Sequence, residues 1–456
     1  MKNPWKRLAV LTVGAALCLC QTGCAFPGLD AQNLMSPPRA NLEQQGIYEL
    51  LQGDSQELTF VYPRRGEHRS AIIMTDWNGD GVSDALGFTA LESGGVEVHF
   101  LEKAEDRWRM AATFPNTATQ VDLVCFGDLN GDGLEDVLIG WGSAAGATGR
   151  TAAVAAYLYE EGNVTETLLG TYGEMAVTDF DGDGVNEVFT VDKYVAATEE
   201  GAEALPAQAI IYAWQNGSLQ ERYSASADNS ITNYTAIRFG ELGGGLSGAT
   251  VDGAKADGSM TTQIFYLENG LLKNGPPGVN TETYQNPFSR PSTAPFTCQD
   301  INGDGILEAP VVQQLPSLAE GAALDSTSYA VGWVNFQPPG EYDSVFTALV
   351  NLGESYWFRL PQGLVGRISA SNNTANRTVT YTEVVTGEDG SQLLGSPLFA
   401  IRVFTRSAWD SRGETSGYEQ LEISGDLVYG IQTFTQDEEY LRLIAQVKAW
   451  FCVMDE

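Results

Sequence analysis

One nine-residue pattern occurs four times and constrains this chain more than any other feature: Asp76-Trp-Asn-Gly-Asp-Gly-Val-Ser-Asp84, then Asp128 to Asp136, Asp179 to Glu187 and Asp300 to Glu308. Each copy carries an oxygen-bearing side chain at positions 1, 3, 5 and 9 and glycine at positions 4 and 6. The copies begin 52, 51 and 121 residues apart. A local loop recurring at such distances means that the architecture around it recurs too.

The donor chemistry is that of a hard cation site. Calcium takes six to eight oxygens at about 2.3–2.6 Å, and short loops of alternating Asp and Asn supply them. The first loop offers Asp76, Asn78, Asp80 and Asp84, the second Asp128, Asn130, Asp132 and Asp136. The third offers Asp179, Asp181, Asp183 and Glu187, the fourth Asp300, Asn302, Asp304 and Glu308. Position 7 adds a backbone carbonyl, from Val82, Leu134, Val185 and Ile306 in turn. Glycine lets the backbone wrap because it reaches positive φ without steric cost.

An EF-hand begins in the same way but needs a bidentate Glu at position 12 and flanking helices. Here position 12 is Gly87, Ile139, Thr190 or Val311, and the flanks (Val124-Cys-Phe126, Val137-Leu-Ile-Gly140, Val188-Phe-Thr-Val191) read as strands. Asp, Asn and Gly also make ordinary metal-free turns. Thirteen carboxylates at the ligand positions of four turns, however, repel one another unless a counter-ion is present. The expectation is four structural Ca2+ sites.

Phe126-Gly127-Asp128 through Ile139-Gly140, with the three parallel loops, resembles the FG-GAP/VCBS repeat family, whose repeats form the β-propeller head of integrin α chains and many bacterial surface proteins. Phe239-Gly240-Glu241 keeps the family's opening pair, and Glu308-Ala309-Pro310 approximates its closing Gly-Ala-Pro. The resemblance covers residues 60–345 and implies a propeller with calcium held between blade strands.

The chain has 456 residues, 59 acidic and 25 basic, for a net charge of −34. That excess argues against a nucleic-acid partner, whose phosphates would be repelled. Fifty glycines and 43% hydrophobic residues fit a turn-rich β protein. Lys2, Lys6 and Arg7 precede an apolar run from Leu8 to Cys20, too short for a span of about 20 residues and suited to a signal peptide. Gln21-Thr22-Gly23-Cys24 resembles a lipobox, although Gln21 stands where Leu is usual, so Cys24 is the expected lipidation site. This places the protein outside the cytoplasm, lipid-anchored to the outer face of a bacterial membrane. Past Cys24 only Cys125, Cys298 and Cys452 remain, which make no disulfide framework.

Residues 1–23 are thus read as a lipoprotein signal peptide and 24–55 as a tether with a short helix, Leu42 to Leu51. Residues 56–345 follow as a mainly β, calcium-binding β-propeller with five recognisable blades. Three hairpins are legible from their turns: Glu161-Gly162-Asn163, Gln215-Asn216-Gly217 and Glu268-Asn269-Gly270. The fifth blade lies in the long interval, where Phe239 to Gly248 keeps the turn but loses the ligands at positions 3 and 5. Residues 346–456 alternate as five or six strands before an amphipathic helix around Leu441 to Phe451. They read as a small α+β sandwich domain, with two degenerate blades as the competing view.

Two histidines, His68 and His99, and no nucleophile elbow, phosphate loop or paired-His motif argue against an enzyme. The expectation is a non-enzymatic, monomeric binding or adhesion platform for an unknown protein or glycan ligand. The alternative is a carbohydrate-active enzyme or carbohydrate-binding protein, with aromatics such as Trp77, Trp141, Trp214 and Trp333 stacking on sugars or, more simply, filling the core.

Overall fold

The computed structural model describes residues 42–53, 58–105, 107–142, 152–197, 203–315, 327–388, 390–412 and 417–454. The expected signal peptide (1–23), Cys24 and the tether up to residue 41 lie outside the described residues. The chain divides into two compact units, 1–58 with 101–110, and 59–100 with 111–456. In the first, helix α1 (Leu42–Gln52) ends at Gly53, whose φ of +48° only glycine adopts cheaply. Gly46 of that helix faces Trp108 so closely that a Cβ would fall 2.8 Å from Trp108 Cδ1.

The strands form a succession of antiparallel sheets. Sheet one runs β1 (Ile72–Thr75), β2 (Asp84–Ala90), β3 (Val96–Ala104), β4 (Arg107–Asn116), hydrogen-bonded in chain order. Sheet two repeats this with β5 (Gln120–Gly127), β6 (Asp136–Gly142), β7 (Ala153–Glu160) and β8 (Asn163–Thr171). Sheet three does so with β9 (Glu174–Thr178), β10 (Glu187–Asp192), β11 (Gln208–Gln215) and β12 (Ser218–Ser226). Sheet four does so with β13 (Ile231–Gly243), β14 (Leu246–Lys255), β15 (Met260–Glu268) and β16 (Leu271–Gly275).

The turns behave as their residues dictate. Glu161–Gly162, Asn216–Gly217 and Asn269–Gly270 all have positive φ at both positions, and close pairs Glu160↔Asn163, Gln215↔Ser218 and Glu268↔Leu271. In sheet four the ligand-poor segment is a tight hairpin through Gly244 and Gly245, with Gly243 opposite Leu246. Only Glu241 keeps a turn role, accepting Gly245 N at 3.1 Å.

Strand alternation distributes the core. In β6, Val137, Ile139 and Trp141 join sheet one's Leu86, Phe88 and Val98, while Leu138 joins sheet three's Val188 and Tyr212. The strand is buried on both faces, which explains its unbroken apolar run. The same rule links sheets three and four through Phe189 and Phe265, and sheets four and five through Tyr266 and Phe336. A fully buried side chain of this size contributes about 1.5–3 kcal/mol.

Sheet five comprises β17 (Glu308–Gln314), β18 (Ser328–Gln337), β19 (Glu341–Asn351), β20 (Tyr356–Arg359) and, last, the C-terminal β26 (Phe451–Val453). Sheet six is ordered β21 (Ile368–Asn373), β22 (Thr378–Thr386), β23 (Gln392–Thr405), β25 (Leu427–Thr433), β24 (Glu419–Ser424). Two helices complete it, α2 (Arg406–Arg412) and α3 (Glu438–Ala449). Asp437 caps α3, accepting Glu439 N and Tyr440 N. The expected boundary at 345/346 falls inside β19, which pairs with β18 from Glu341 to Asn351. Residues 346–359 and 451–453 thus complete sheet five, and Phe358, Phe399 and Ile444 share one core with sheet six. The acidic loop marks only the first turn of a sheet, so its absence after Glu308 says nothing about where that sheet's outer strands end. A short 3-10 turn (Gln362–Leu364) precedes β21, which begins at Ile368.

Candidate metal centres

Three of the four loops join the first two strands of their sheets: β1 to β2, β5 to β6 and β9 to β10. Before the fourth the strand is reduced to one bridge, Gln299↔Glu308. All eight glycines at positions 4 and 6 have φ between +71° and +94°, a conformation in which any Cβ is strained.

The side chains close each loop on itself. Asp128 accepts Gly131 N at 2.7 Å and Gly133 N at 2.9 Å; Asp179 and Asp300 do the same for their own glycines. Asn78, Asn130 and Asn302 accept the amide of position 5, and Asp80, Asp132, Asp183 and Asp304 that of position 7. Position 2 is an apolar anchor. Trp77, Leu129 and Phe180 are buried, and the amides of Leu129, Phe180 and Ile301 donate to Asp136, Glu187 and Glu308.

The position-9 carboxylates are therefore interior groups: Asp84 and Glu308 are 0% exposed, Asp136 and Glu187 3%. Burial, aided by the loop's other carboxylates, pushes Asp136 and Glu187 up to about 7 and raises Glu308 as well. Glu308 Oε1 and Asp76 Oδ1 are buried without a hydrogen-bond partner. In the third loop, ligand oxygens of Asp179, Asp181 and Glu187 lie within 4.8 Å of one another. Orphaned oxygens, acids at the cost of burial and an all-oxygen donor set fit a divalent cation. Bound there, it would supply the positive charge that the carboxylates lack. Asp, Asn and Glu at positions 1, 3, 5 and 9 would hold it; the carbonyls of Val82, Leu134, Val185 and Ile306 stand at position 7.

Neighbouring loops also touch. Asn186 N donates to Asp128 O at 2.7 Å while Asn186 Oδ1 accepts Asp128 N at 3.1 Å. Leu307 N donates to Glu241 O at 2.7 Å. A Cβ on Gly79 would lie 2.2 Å from Leu134, and one on Gly131 3.0 Å from Val185. The position-7 side chains Leu134 and Val185 thus cover the position-4 glycine of the loop before their own, whereas Gly182 has open space around a Cβ. Sequence reading missed these contacts because position 8 (Ser83, Glu135, Asn186, Leu307) has no shared residue type.

A cavity of 790 Å³ is lined by Met74 and Thr75 of β1, Leu123 to Phe126 of β5, Glu174 to Val177 of β9 and Thr235 to Ile237 of β13, with the Arg65–His68 turn. In it Arg65 pairs with Asp122 at 2.7 Å and Glu174 at 2.5 Å, and Tyr172 donates to Asp122 at 2.8 Å. His68 packs edge-on against Phe126, and His99 is buried against Thr89. Trp77, Trp141 and Trp333 are 3% exposed or less, so they are core residues with no free face for a sugar. Trp214 is half-buried and packs on the core between sheets two and three. Cys298 is fully buried, and Cys125 is half-buried with its thiol pushed up to about 11 by burial. Of the described helices none is long and apolar enough to cross a membrane.

No family model and no curated protein matches the chain. Among solved structures it is similar to the rhamnogalacturonan lyase YesW (11% identity, 75% of this chain and 76% of that one, TM-score 0.30). A rhamnogalacturonan lyase of Bacillus licheniformis stands at 12% identity, 75% and 77% coverage and TM-score 0.30. BBS1N, crystallised with ARL6DN, stands at 13%, 83% and 94%, and 0.25.

Proposed function

We propose that this protein is an exported, lipid-anchored surface protein whose successive sheets close into a propeller of the FG-GAP/VCBS kind. Calcium in four loops stiffens that scaffold, which serves as a non-enzymatic binding platform. Cys24 carries the lipid, and the body stands off the outer face of a bacterial membrane as a monomer. The observation that carries the reading is Glu308, a fully buried acid with one oxygen unanswered, at the same loop position as buried Asp84, Asp136 and Glu187. Such a group is costly alone and favourable beside a bound cation. Four sheets of four consecutive strands, with their first strands β1, β5, β9 and β13 around one cavity, support the propeller. That cavity, walled by apolar strand residues around the paired Arg65, is where a protein or glycan ligand would insert a side chain.

Elemental analysis of the purified, tag-free ectodomain tests the premise. About four calcium ions per chain are expected, and fewer than two tightly held ions would refute it. Pulldown from cell envelope and host matrix, run beside a glycan array, then assigns the ligand class. Release of reducing ends from a polysaccharide would replace the non-enzymatic reading with the carbohydrate-active one.

A further inference from the structure

The third loop differs from the others at position 3, where Asp181 replaces Asn78, Asn130 and Asn302. At the ligand positions it therefore carries four carboxylates where each of the others carries three. An extra charge of that kind raises mutual repulsion without a cation and tightens the hold on one. The structure shows what meets it: Arg222 Nη1 lies 2.9 Å from Asp181 Oδ2.

Arg222 reaches the loop because of a local irregularity. Ile211 pairs with Tyr223 and Tyr212 with Glu221, so Arg222 is the extra residue of a β-bulge in β12. Bulges re-aim side chains that a regular strand would send elsewhere. The guanidinium also stacks 5.0 Å from the Tyr223 ring centre, which limits its freedom. Within the loop the hydrogen bonding changes to match. Asp183 N donates to Asp179 Oδ1 at 3.1 Å, as Asp304 N does to Asp300 Oδ1, but in the other three loops the position-3 Asn also accepts that amide.

We propose that Arg222 is a built-in counter-charge that brings the ligand set of the third loop to the same net charge, −3, as the ligand sets of the other three. It thereby sets that loop's affinity and its preference for divalent over trivalent cations. This rests on the calcium reading above. Asp181 Oδ1 stays available to a cation while Oδ2 is engaged, so Arg222 also fixes the carboxylate's orientation.

The test uses the full chain stripped with chelator, titrated with Ca2+ by calorimetry and with Tb3+ by luminescence. With Arg222→Gln, one binding step should tighten about tenfold, and its Tb3+ preference should grow, as expected for losing a partly exposed unit charge beside a site. Asp181→Asn should weaken one step by a similar factor, and the double variant should return to the wild-type range. Arg222→Lys, which keeps the charge, should stay near wild type, and far-UV circular dichroism checks folding. If wild type binds and Arg222→Gln leaves every step within about twofold, or Arg222→Lys behaves as Arg222→Gln, the role of Arg222 is overturned. If wild type binds no cation at all, the calcium reading falls and this proposal with it.

Discussion

At the scale of single residues, the loop glycines separate two costs that are usually mixed. Gly133 has φ +85° and open space around a Cβ, whereas Gly79 has φ +71° and Leu134 2.2 Å from where a Cβ would sit. Gly133→Ala should therefore cost about 1 kcal/mol, the price of a left-handed backbone alone. Gly79→Ala should cost more, about 2–4 kcal/mol, because overpacking is added. Urea unfolding of both variants measures this; equal losses would mean that the inter-loop packing contributes nothing. The glycines themselves could be read from the pattern. The residue each one lies under could not, since Leu134 is 55 positions from Gly79.

At the scale of elements, strand pairing gives His99 a role that its sequence neighbourhood hides. Its ring, on β3, faces Thr89 of β2 at 2.8 Å and Thr113 of β4 at 3.4 Å, tying three strands together. Burial lowers its pKa from 6.5 to about 4. The unfolded chain therefore takes up a proton near pH 6.5 while the folded one resists until about 4, so stability falls as pH drops through that window. The loss should reach about 1–2 kcal/mol by pH 5, the lower figure allowing for Glu97, 3.5 Å away, which favours the charged ring. Urea midpoints at pH 7 and pH 5 for wild type and His99→Gln isolate it from the carboxylates. An unchanged pH slope in the variant would contradict this. The hairpins at Asn216–Gly217 and Asn269–Gly270 were readable because their geometry is local. The end of sheet five was not, because β26 joins β20 from nearly 100 residues away, as Tyr356↔Val453 shows.

At the scale of the whole molecule, a charge of −34 together with the four proposed cation sites would couple cation occupancy to folding. Ions bound by the folded chain and not by the unfolded one stabilise it in proportion to their affinity. Excess EDTA should therefore lower the melting temperature substantially, and calcium should restore it; an unchanged melting curve would count against structural cation sites. The effect belongs to the fold and not to one loop. Three of the loops join two strands of one sheet, and the backbone bonds of Asn186 to Asp128 and of Leu307 to Glu241 tie the third loop to the second and the fourth to the ligand-poor hairpin of sheet four.

The sequence by itself determined where the acidic loops fall, that strands flank them, and which turns reverse the chain, because each depends on residues within about ten positions of one another. Tertiary structure alone decided that Trp77 packs inward, that Arg222 meets Asp181 across 41 residues, and that Arg65 meets Glu174 across 109. Such partnerships depend on which sheets lie side by side and on a bulge that turns one side chain. Neither leaves a periodic mark on the chain, since packing and charge pairing act through space and not along the sequence.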